Sequence, residues 1–316
     1  RFRCAIGTLG TWTISQDTSA PDDFSSSFKL LCTTADASPS ANDYVVVQQR
    51  IEAQSLQHLS FGTSSAKKLT LSFWVKSNKT GAASIEFINF DNSDKSAYPS
   101  YTINAADTWE YKTVTVSGDT SGGPDNNNGA GLEIAFWLNG GSTFTGGSHT
   151  TSFGTFTNSN RNTSNLGVGG AVNDYWQITG VQLEVGDTAT PFEHISYGDQ
   201  LARCQRYFEK RVYSGGYQHV CITANVDTTL VRGDIYFNTE KRATPTLSGS
   251  AASTWRVNAF ANDATANSVS FNTTEVNSLR IDAVRGSGTH VAREASYINV
   301  ENASPNEAYW QADAEL

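Results

Sequence analysis

Apolar and polar side chains alternate in many short segments of this chain, a pattern that predicts strands with one buried face. Residues 69–76 and 132–139 show it most clearly, because every second position in each is Leu, Ile, Phe or Val. The other strands predicted for the first two thirds of the chain are residues 11–14, 28–33, 44–51, 84–90 and 109–116. A single helical turn is predicted at residues 54–59.

The stretch from residue 174 to residue 208 predicts a last strand, a loop and a helix. Trp176 and Ile178 alternate with Tyr175 and Gln177, and Gly180 predicts a bulge after which the apolar side resumes. Pro191 then ends the strand, because proline cannot donate a hydrogen bond to a neighbouring strand.

A helix is predicted over residues 196–210, because apolar residues recur there at helical spacing. Asp199 is its predicted N-terminal cap, and Leu201, Cys204 and Phe208 form a narrow apolar stripe. This stripe has two interpretations: the helix packs on its own sandwich, or it forms a contact between three copies of the chain.

The many short strands and turns predict an all-β chain with two domains. We expect an N-terminal β-sandwich at residues 1–195, the linking helix at 196–210 and a smaller C-terminal β-sandwich at 211–316. A chain of 316 residues is long enough for each domain to bury its own core. Residues 140–170 are rich in Gly, Ser, Thr and Asn, which predicts a surface excursion or a functional loop.

Composition and charge exclude several function classes. The net charge is −9 and there is no cluster of Lys or Arg, which argues against binding of nucleic acid. No apolar run has the length of a membrane span, so we expect no membrane insertion. The chain contains no methionine, so we expect that Arg1 is not the native start and that an N-terminal segment, which could hold an anchoring domain, precedes it.

The cysteines are expected to be buried free thiols. None of the four (Cys4, Cys32, Cys204 and Cys221) lies in a Cys-x-x-Cys pair or at metal-binding spacing from a histidine. A bridge between Cys4 and Cys32 is left open, since it requires their strands to pair.

Several segments resemble structural proteins of tailed phages, especially marine ones. The segments are GVQLEVG at 180–186, TPFEH at 190–194, CQRYF at 204–208, and the C-terminal residues 312–316. Residues 69–81 are also similar to a strand of jelly-roll carbohydrate-binding modules. The resemblance implies a jelly roll at residues 1–195 and a tail fibre or other exterior appendage of the virion, assembled as a homotrimer with other virion tail proteins.

Two tryptophans and a tyrosine are the candidate sugar-binding residues. Trp74 and Trp137 each follow a core Phe, so alternation places them on the polar faces of their strands, and Tyr175 is assigned to such a face on the closing strand. A pyranose packs its C–H face on an aromatic ring while polar groups bind its hydroxyls. The alternative is that the excursion at 140–170, or a neighbouring subunit, covers these rings.

Catalysis and cofactors receive little support. Glu86, Asp91, Glu110 and Glu133 are the available carboxylates, but no motif links a pair of them, so no enzymatic activity is predicted. No cofactor is expected. The Asp- and Asn-rich turn at 119–128 could hold calcium through carboxylate and carbonyl oxygens, although it lacks the spacing of an EF-hand. The resemblance also implies a structural calcium ion near the closing strand, with Asp174 as a candidate ligand.

The function predicted from the sequence is therefore display of a host-recognition module that binds a cell-surface glycan. Two alternatives stay open: a purely structural spacer or fibre attached to the capsid or tail, and a polysaccharide depolymerase. The C-terminal domain is a second candidate for receptor contact, through exposed loops at 214–218 and 285–290.

Overall fold

A computed structural model describes residues 2–213, 218–259, 262–300 and 308–316. The chain divides into two compact units, Arg1–His194 and Ile195–Leu316, here called the first and second units. The division lies one residue from the boundary expected at 195. Within the described ranges, no helix is long and apolar enough to cross a membrane.

The first unit consists of two antiparallel sheets. The seven-stranded sheet has the order β1-β4-β10-β6-β7-β11, with β8 also paired to β6, and the five-stranded sheet has the order β2-β3-β12-β5-β9. The strands are β1 Arg3–Gly7, β2 Thr11–Asp17, β3 Ser27–Thr34, β4 Tyr44–Glu52, β5 Leu69–Ser77, β6 Gly81–Asn89, β7 Lys95–Tyr98, β8 Ser100–Ile103, β9 Glu110–Val116, β10 Ala130–Gly140, β11 Thr150–Gly154 and β12 Tyr175–Val185. Short 3-10 helices occur at Ala53–Leu59, Phe90–Asn92 and Asn158–Asn160. The predicted all-β class, with an N-terminal jelly-roll sandwich, is confirmed.

The core of the first unit lies between the two sheets. Phe73 on β5 meets Phe136 on β10 with ring centroids 5.1 Å apart, and both side chains are fully buried. Trp176 on β12 is also buried, and its indole N–H donates to the Tyr101 hydroxyl at 3.0 Å. Burial of each such side chain stabilises the fold by about 1.5–3 kcal/mol. The alternation in the sequence therefore assigns the inward face of these strands correctly.

The bulge predicted at Gly180 is present in β12. The pairing of β12 with β5 shifts register between Thr179 and Gln182, and Gly180 has a φ of 59°. This left-handed conformation favours glycine. The bulge lets β12 bend while its pairing with β5 continues on both sides.

The excursion at residues 140–170 folds over the outer face of the seven-stranded sheet. Its Phe144 ring lies 5.0 Å from the ring of Trp137, and its Arg161 guanidinium lies 4.7 Å from the same ring. Both contacts fall on β10, so the outer face of that strand is covered.

The second unit begins with the helix α1, Tyr197–Gln205. Ser196, not Asp199, is the N-cap, because its hydroxyl accepts the Asp199 backbone N–H at 3.2 Å. The helix ends before Phe208 because residues 208–213 pair with a later strand, so the prediction of helix to residue 210 is wrong. Every side chain from Tyr197 to Cys204 is exposed, which contradicts packing of the apolar stripe on its own domain.

The second unit is otherwise built from β-strands. They are β13 Phe208–Tyr213, β14 Gln218–Asn225, β15 Leu230–Tyr236, β16 Thr246–Gly249, β17 Trp255–Ala259, β18 Asn262–Asn272, β19 Ser278–Arg285, β20 Ala295–Val300 and β21 Ala308–Asp313, with a 3-10 turn at Ala252–Thr254. Six of them close as β14-β15-β19-β18-β17-β20, and a three-stranded sheet has the order β13-β21-β16. The domain expected as a smaller C-terminal β-sandwich thus contains a closed six-stranded barrel, and closure pairs the edge strands of that sheet.

The four cysteines are free thiols. A Cys4–Cys32 bridge does not form, since β1 and β3 belong to different sheets. Cys32 is buried, whereas Cys204 on α1 is exposed, contrary to the expectation that all four are buried. Burial raises the pKa of the Cys4 thiol to about 11, so this thiol is protonated at neutral pH.

Candidate ligand-binding groove

A groove of about 660 Å³ lies on the outer face of the five-stranded sheet. Its floor comes from β5 and β9. Its walls come from the loop between β2 and β3, residues 18–26, and from the segment after β12, residues 187–194, here called the wall segment. The volume falls in the range of about 300–1,000 Å³ that is typical of small-molecule sites. All the residues that line it belong to the first unit.

Two aromatic side chains from neighbouring strands form the floor. Trp74 on β5 is directly opposite Tyr111 on β9, and their ring centroids are 5.4 Å apart. Trp74 faces outward because Phe73, its neighbour in the strand, faces the core. Tyr111 keeps 44% of its surface exposed. Sequence reasoning missed Tyr111, although it occupies an outward position in the predicted strand 109–116.

Ser72 adds an unpaired hydroxyl to the floor. It lies two residues before Trp74 on the same face of β5, it lines the groove, and only 2% of its surface is exposed. Its hydroxyl has no hydrogen-bond partner within the described part of the chain. A ligand hydroxyl can therefore hydrogen-bond to it without displacing a partner within the protein.

An aromatic cluster forms the opposite wall. The Phe24 ring centroid lies 5.1 Å from that of Phe192 and 5.5 Å from that of His194, and Phe192 and His194 are 4.9 Å apart. Gly180 makes this packing feasible, because a Cβ atom there would lie 2.6 Å from Cζ of Phe24. Sequence reasoning missed Phe24 and Phe192, which are far apart in sequence and meet only after the wall segment folds back.

Two polar side chains on β12 hold the wall segment in place. The Glu184 carboxylate accepts the Thr190 backbone N–H at 3.0 Å and also the Thr190 hydroxyl. The Gln182 side-chain oxygen accepts the Glu193 backbone N–H at 2.8 Å. The hydrogen bond from the Thr190 hydroxyl is the main cause that lowers the pKa of Glu184, so this carboxylate is ionised at neutral pH. The two segments 180–186 and 190–194 therefore build one wall together.

The remaining charged residues of the groove are acidic. Asp22 and Asp23, in the loop between β2 and β3, line it and are both exposed. Among the described residues, no Lys or Arg lines the groove. The groove thus combines aromatic surfaces, an unpaired hydroxyl and two carboxylates.

Trp137 lies on the other sheet and is only 1% exposed. Its indole N–H donates to Glu86 at 3.0 Å, and the excursion covers its ring. It therefore cannot stack on a sugar, which corrects the prediction. Alternation separates inward from outward positions, but it does not show which sheet a strand joins or what covers its outer face.

Tyr175 lies on the same sheet face as Trp74 but does not line the groove. Its hydroxyl donates to Asp107, and the Lys29 ammonium lies 5.4 Å from its ring centroid. Burial, followed by the hydrogen bond with Asp107, raises the pKa of Tyr175. The structure thus brings Trp74 and Tyr175 to one face and separates both from Trp137.

Asp174 does not fit a calcium site as it is arranged. The Lys79 ammonium lies 3.1 Å from its Oδ2 atom, which also accepts the backbone N–H groups of Gly169 and Ala171. A divalent cation at this oxygen would meet the lysine charge. Within the described ranges, no group of three His, Cys, Asp or Glu side chains is placed to hold a metal.

Two of the carboxylates considered for catalysis are buried in ion pairs. Glu86 is fully buried and meets Arg161 at 2.9 Å, and Glu133 meets Arg50 at 2.7 Å. Desolvation raises the pKa of Glu86, although the charge of Arg161 opposes the shift. Both carboxylates are therefore held in structural ion pairs, and Glu86 is paired with an arginine of the excursion.

No protein-family model and no curated protein sequence matches the chain. Among solved structures, it is similar to the enzymatically active domain of tailspike protein 4 of bacteriophage CBA120, with a TM-score of 0.33 and 16% identity over 58% of this chain. It spans only 19% of that tailspike chain.

Two carbohydrate-binding modules are also similar in structure. A family 11 module of a Clostridium thermocellum cellulosomal cellulase has a TM-score of 0.30 and 10% identity, over 61% of this chain and 91% of the module. The xylan-binding domain from Paenibacillus barcinonensis has a TM-score of 0.29 and 9% identity, over 59% and 87%. Because these scores and identities are low, the function of the groove must be inferred from its own side chains.

Proposed function

We propose that the groove of the first unit binds a carbohydrate and that the chain is a structural component of a phage virion, in a tail fibre. The observation that carries the first part is the Trp74–Tyr111 pair, which forms the floor of a groove whose opposite wall is also aromatic. In this proposal the module recognises a glycan on the host surface and does not cleave it.

The groove suits a sugar ring in both shape and chemistry. A pyranose has apolar C–H faces, which pack on aromatic rings, and hydroxyls around its edge, which need hydrogen-bond partners. Trp74 and Tyr111 offer rings at the floor, and Phe24 offers one at the wall. Ser72, Asp22 and Asp23 offer polar atoms between them. Because the surface is concave, it suits a small ligand better than a flat contact with another subunit.

The assignment to a virion is supported by the sequence resemblance at 180–186, 190–194 and 204–208. The same resemblance supports a homotrimer on the exterior of the particle, in contact with other tail proteins. The exposed side chains of Tyr197 and Leu201 on α1 offer apolar surface for such assembly. In the second unit, the loop at 285–290 is a further candidate for receptor contact. Residues 214–217 of the other candidate loop lie outside the described residues.

The test is a binding screen of the purified chain against immobilised glycans and host surface polysaccharide, with released sugar measured in the same samples. We expect binding without release. Trp74→Ala should weaken it by at least about tenfold, because removal of a central aromatic anchor costs about 2 kcal/mol or more. Tyr236→Ala is the control, since Tyr236 is an aromatic of the second unit with 76% of its surface exposed.

Three outcomes would contradict the proposal. A folded wild-type chain that binds no glycan would favour a purely structural spacer. Equal binding by wild type and Trp74→Ala would move the site away from the groove. Release of sugar fragments would favour a depolymerase.

A further inference from the structure

We infer that the groove selects glycans that are uncharged or carry amines, and rejects glycans that carry carboxylate, sulfate or phosphate groups. This inference rests on the proposed carbohydrate-binding function and names the class of glycan. It follows from which charges line the groove and from where the nearby cations are held.

The acidic charge of the groove is not neutralised by a protein partner. Asp22 and Asp23 are exposed and form no ion pair with the described residues, and both residues line the groove next to Phe24. A ligand seated between Trp74 and Phe24 would therefore lie close to two carboxylates. A like charge on that ligand would be repelled, and an ammonium group would be attracted.

The cations of the five-stranded sheet are held elsewhere. Its five strands carry Lys29, Lys76 and Lys112 and no arginine. Lys29 pairs with Asp17 at 2.8 Å, and Lys112 pairs with Glu110 at 2.5 Å. Lys76 donates to the Ser19 hydroxyl at 3.1 Å, and none of the three lines the groove. Among the described residues, an acidic sugar would thus find no lysine or arginine lining the groove.

Ser72 supports a neutral contact at the floor of the same groove. Only 2% of the surface of Ser72 is exposed, and its hydroxyl has no hydrogen-bond partner within the described ranges. A hydroxyl can donate to or accept from a sugar hydroxyl without any charge on the ligand. The carboxylates at the rim can accept hydrogen bonds from neutral sugar hydroxyls in the same way, whereas an acidic group has no proton to donate to them.

The experiment compares matched oligosaccharides. Neutral gluco-, galacto- and manno-oligosaccharides are titrated against the full chain, and each is titrated again after its primary hydroxyls have been oxidised to carboxylates. A chitosan oligosaccharide and its N-acetylated form provide an amine-bearing pair. For each protein variant, the quantity compared is the ratio of two affinities: neutral to oxidised oligosaccharide, or amine-bearing to N-acetylated oligosaccharide.

For the wild type, we expect each oxidised form to bind at least about tenfold more weakly than its neutral parent, on the basis of like-charge repulsion at short range. The amine form should bind more tightly than its acetylated partner, and this preference should shrink as salt is raised. In Asp22→Asn/Asp23→Asn, both ratios should approach one.

Asp23→Asn and Asp94→Asn form a matched pair. Asp23 and Asp94 have φ angles of 71° and 56°, a left-handed region that asparagine also adopts, so neither substitution strains the backbone. Asp94 is exposed in a turn of the seven-stranded sheet, away from the groove. Asp23→Asn should reduce the discrimination, and Asp94→Asn should leave it as in the wild type.

Failure of this inference is distinguishable from failure of the proposed function. Equal binding of neutral and oxidised forms by the wild type would overturn the selectivity alone, and so would discrimination that persists in the double Asp variant. Absence of binding to every oligosaccharide by the folded chain would overturn both proposals.

Discussion

Ser72 and Trp74 lie two residues apart on β5 and present a hydroxyl and a ring to the same groove. The hydroxyl has no hydrogen-bond partner among the described residues, so it contributes little to the stability of the fold. A ligand hydroxyl can hydrogen-bond to it without displacing a partner within the protein. In the proposed complex, the Trp74 ring packs on a sugar ring and the Ser72 hydroxyl binds one of its hydroxyls.

Ser72→Ala should weaken glycan binding by roughly five- to tenfold, about 1–1.5 kcal/mol, and should leave the thermal midpoint unchanged or slightly raised. Titration calorimetry and thermal denaturation measure the two effects. Ser77→Ala is the matched control on the same strand, because the buried Ser77 hydroxyl donates to the Tyr175 carbonyl. It should lower the midpoint and keep the affinity. The reverse pattern would show that Ser72 is structural.

Trp137→Ala should destabilise the protein by about 3–5 kcal/mol, as expected for truncation of a fully packed tryptophan. It removes the donor to Glu86 and the surface on which Arg161 rests. Denaturant unfolding measures the loss, and glycan titration at a temperature where the variant is folded provides the second reading. If Trp137→Ala kept the stability of the wild type but lost glycan binding, Trp137 would be a sugar-binding residue after all.

Glu110 should make stability depend on pH in the acid range. Burial of its carboxyl opposes ionisation, but hydrogen bonds from Lys112, Asn104 and the Ala105 N–H outweigh it and lower its pKa from 4.5 to about 2. A lowered acid pKa stabilises the fold above the unfolded pKa, and this contribution is lost as pH falls through the folded pKa. The thermal midpoint of the wild type should thus fall more steeply between about pH 4.5 and 2 than that of Glu110→Gln. Parallel curves would contradict this.

At the scale of elements, the groove depends on the bulge in β12 and on the wall segment that β12 holds. Gly180 lets Phe24 pack over the bulge, and Gln182 and Glu184 fix the segment that carries Phe192. The same short stretch therefore ends the sheet and shapes the site. This gives the two sequence segments that resemble phage proteins a shared structural role.

Gly180→Ala should reduce both stability and affinity. A side chain at φ 59° costs about 1–2 kcal/mol, and its Cβ would displace Phe24 from the wall. Gly167→Ala is the control for backbone strain alone, since Gly167 has a φ of 70° and open space around the added Cβ. Both variants should lose similar stability in thermal denaturation, but only Gly180→Ala should lose affinity. Equal glycan affinity in both variants would show that the position of Phe24 does not affect binding.

Local pattern accounts for much of the first unit but for less of its site. Alternation predicts that Trp74 faces outward, and Gly180 predicts the bulge. Tyr111 becomes a partner of Trp74 only through the register of β5 with β9. Phe24 and Phe192 are in contact although they lie 168 residues apart in the sequence. No local signal encodes such pairings, so the walls of the groove could not be predicted.

In the second unit, long-range pairing also decides whether a segment is helix or strand, and local pattern does not show this. Tyr207 and Phe208 continue a helical spacing, yet Phe208 begins β13, because residues 208–213 pair with Ala308–Asp313 near the end of the chain. Closure of the six-stranded sheet likewise depends on the pairing of β14 with β20. Strand periodicity predicts the strands themselves and is silent on whether the sheet they form is open or closed.

At the scale of the whole molecule, the two units divide the proposed tasks. All lining residues of the groove lie in Arg1–His194, so recognition is assigned to the first unit. The helix α1, with its exposed Tyr197 and Leu201, begins the second unit and is assigned to assembly. A net charge of −9 also disfavours binding of acidic polymers by the chain as a whole, in agreement with the selectivity inferred for the groove.

The most direct test of the central claim is hydroxyl-radical footprinting of the full chain, with and without a neutral glycan that it binds. If the groove is the carbohydrate site, oxidation of Trp74 and Tyr111 should decrease when the glycan is present. Tyr197 and Tyr236, which are 78% and 76% exposed in the second unit, should be oxidised equally in both samples. Protection of the second-unit tyrosines, with Trp74 and Tyr111 unchanged, would contradict the claim that the groove is the carbohydrate site.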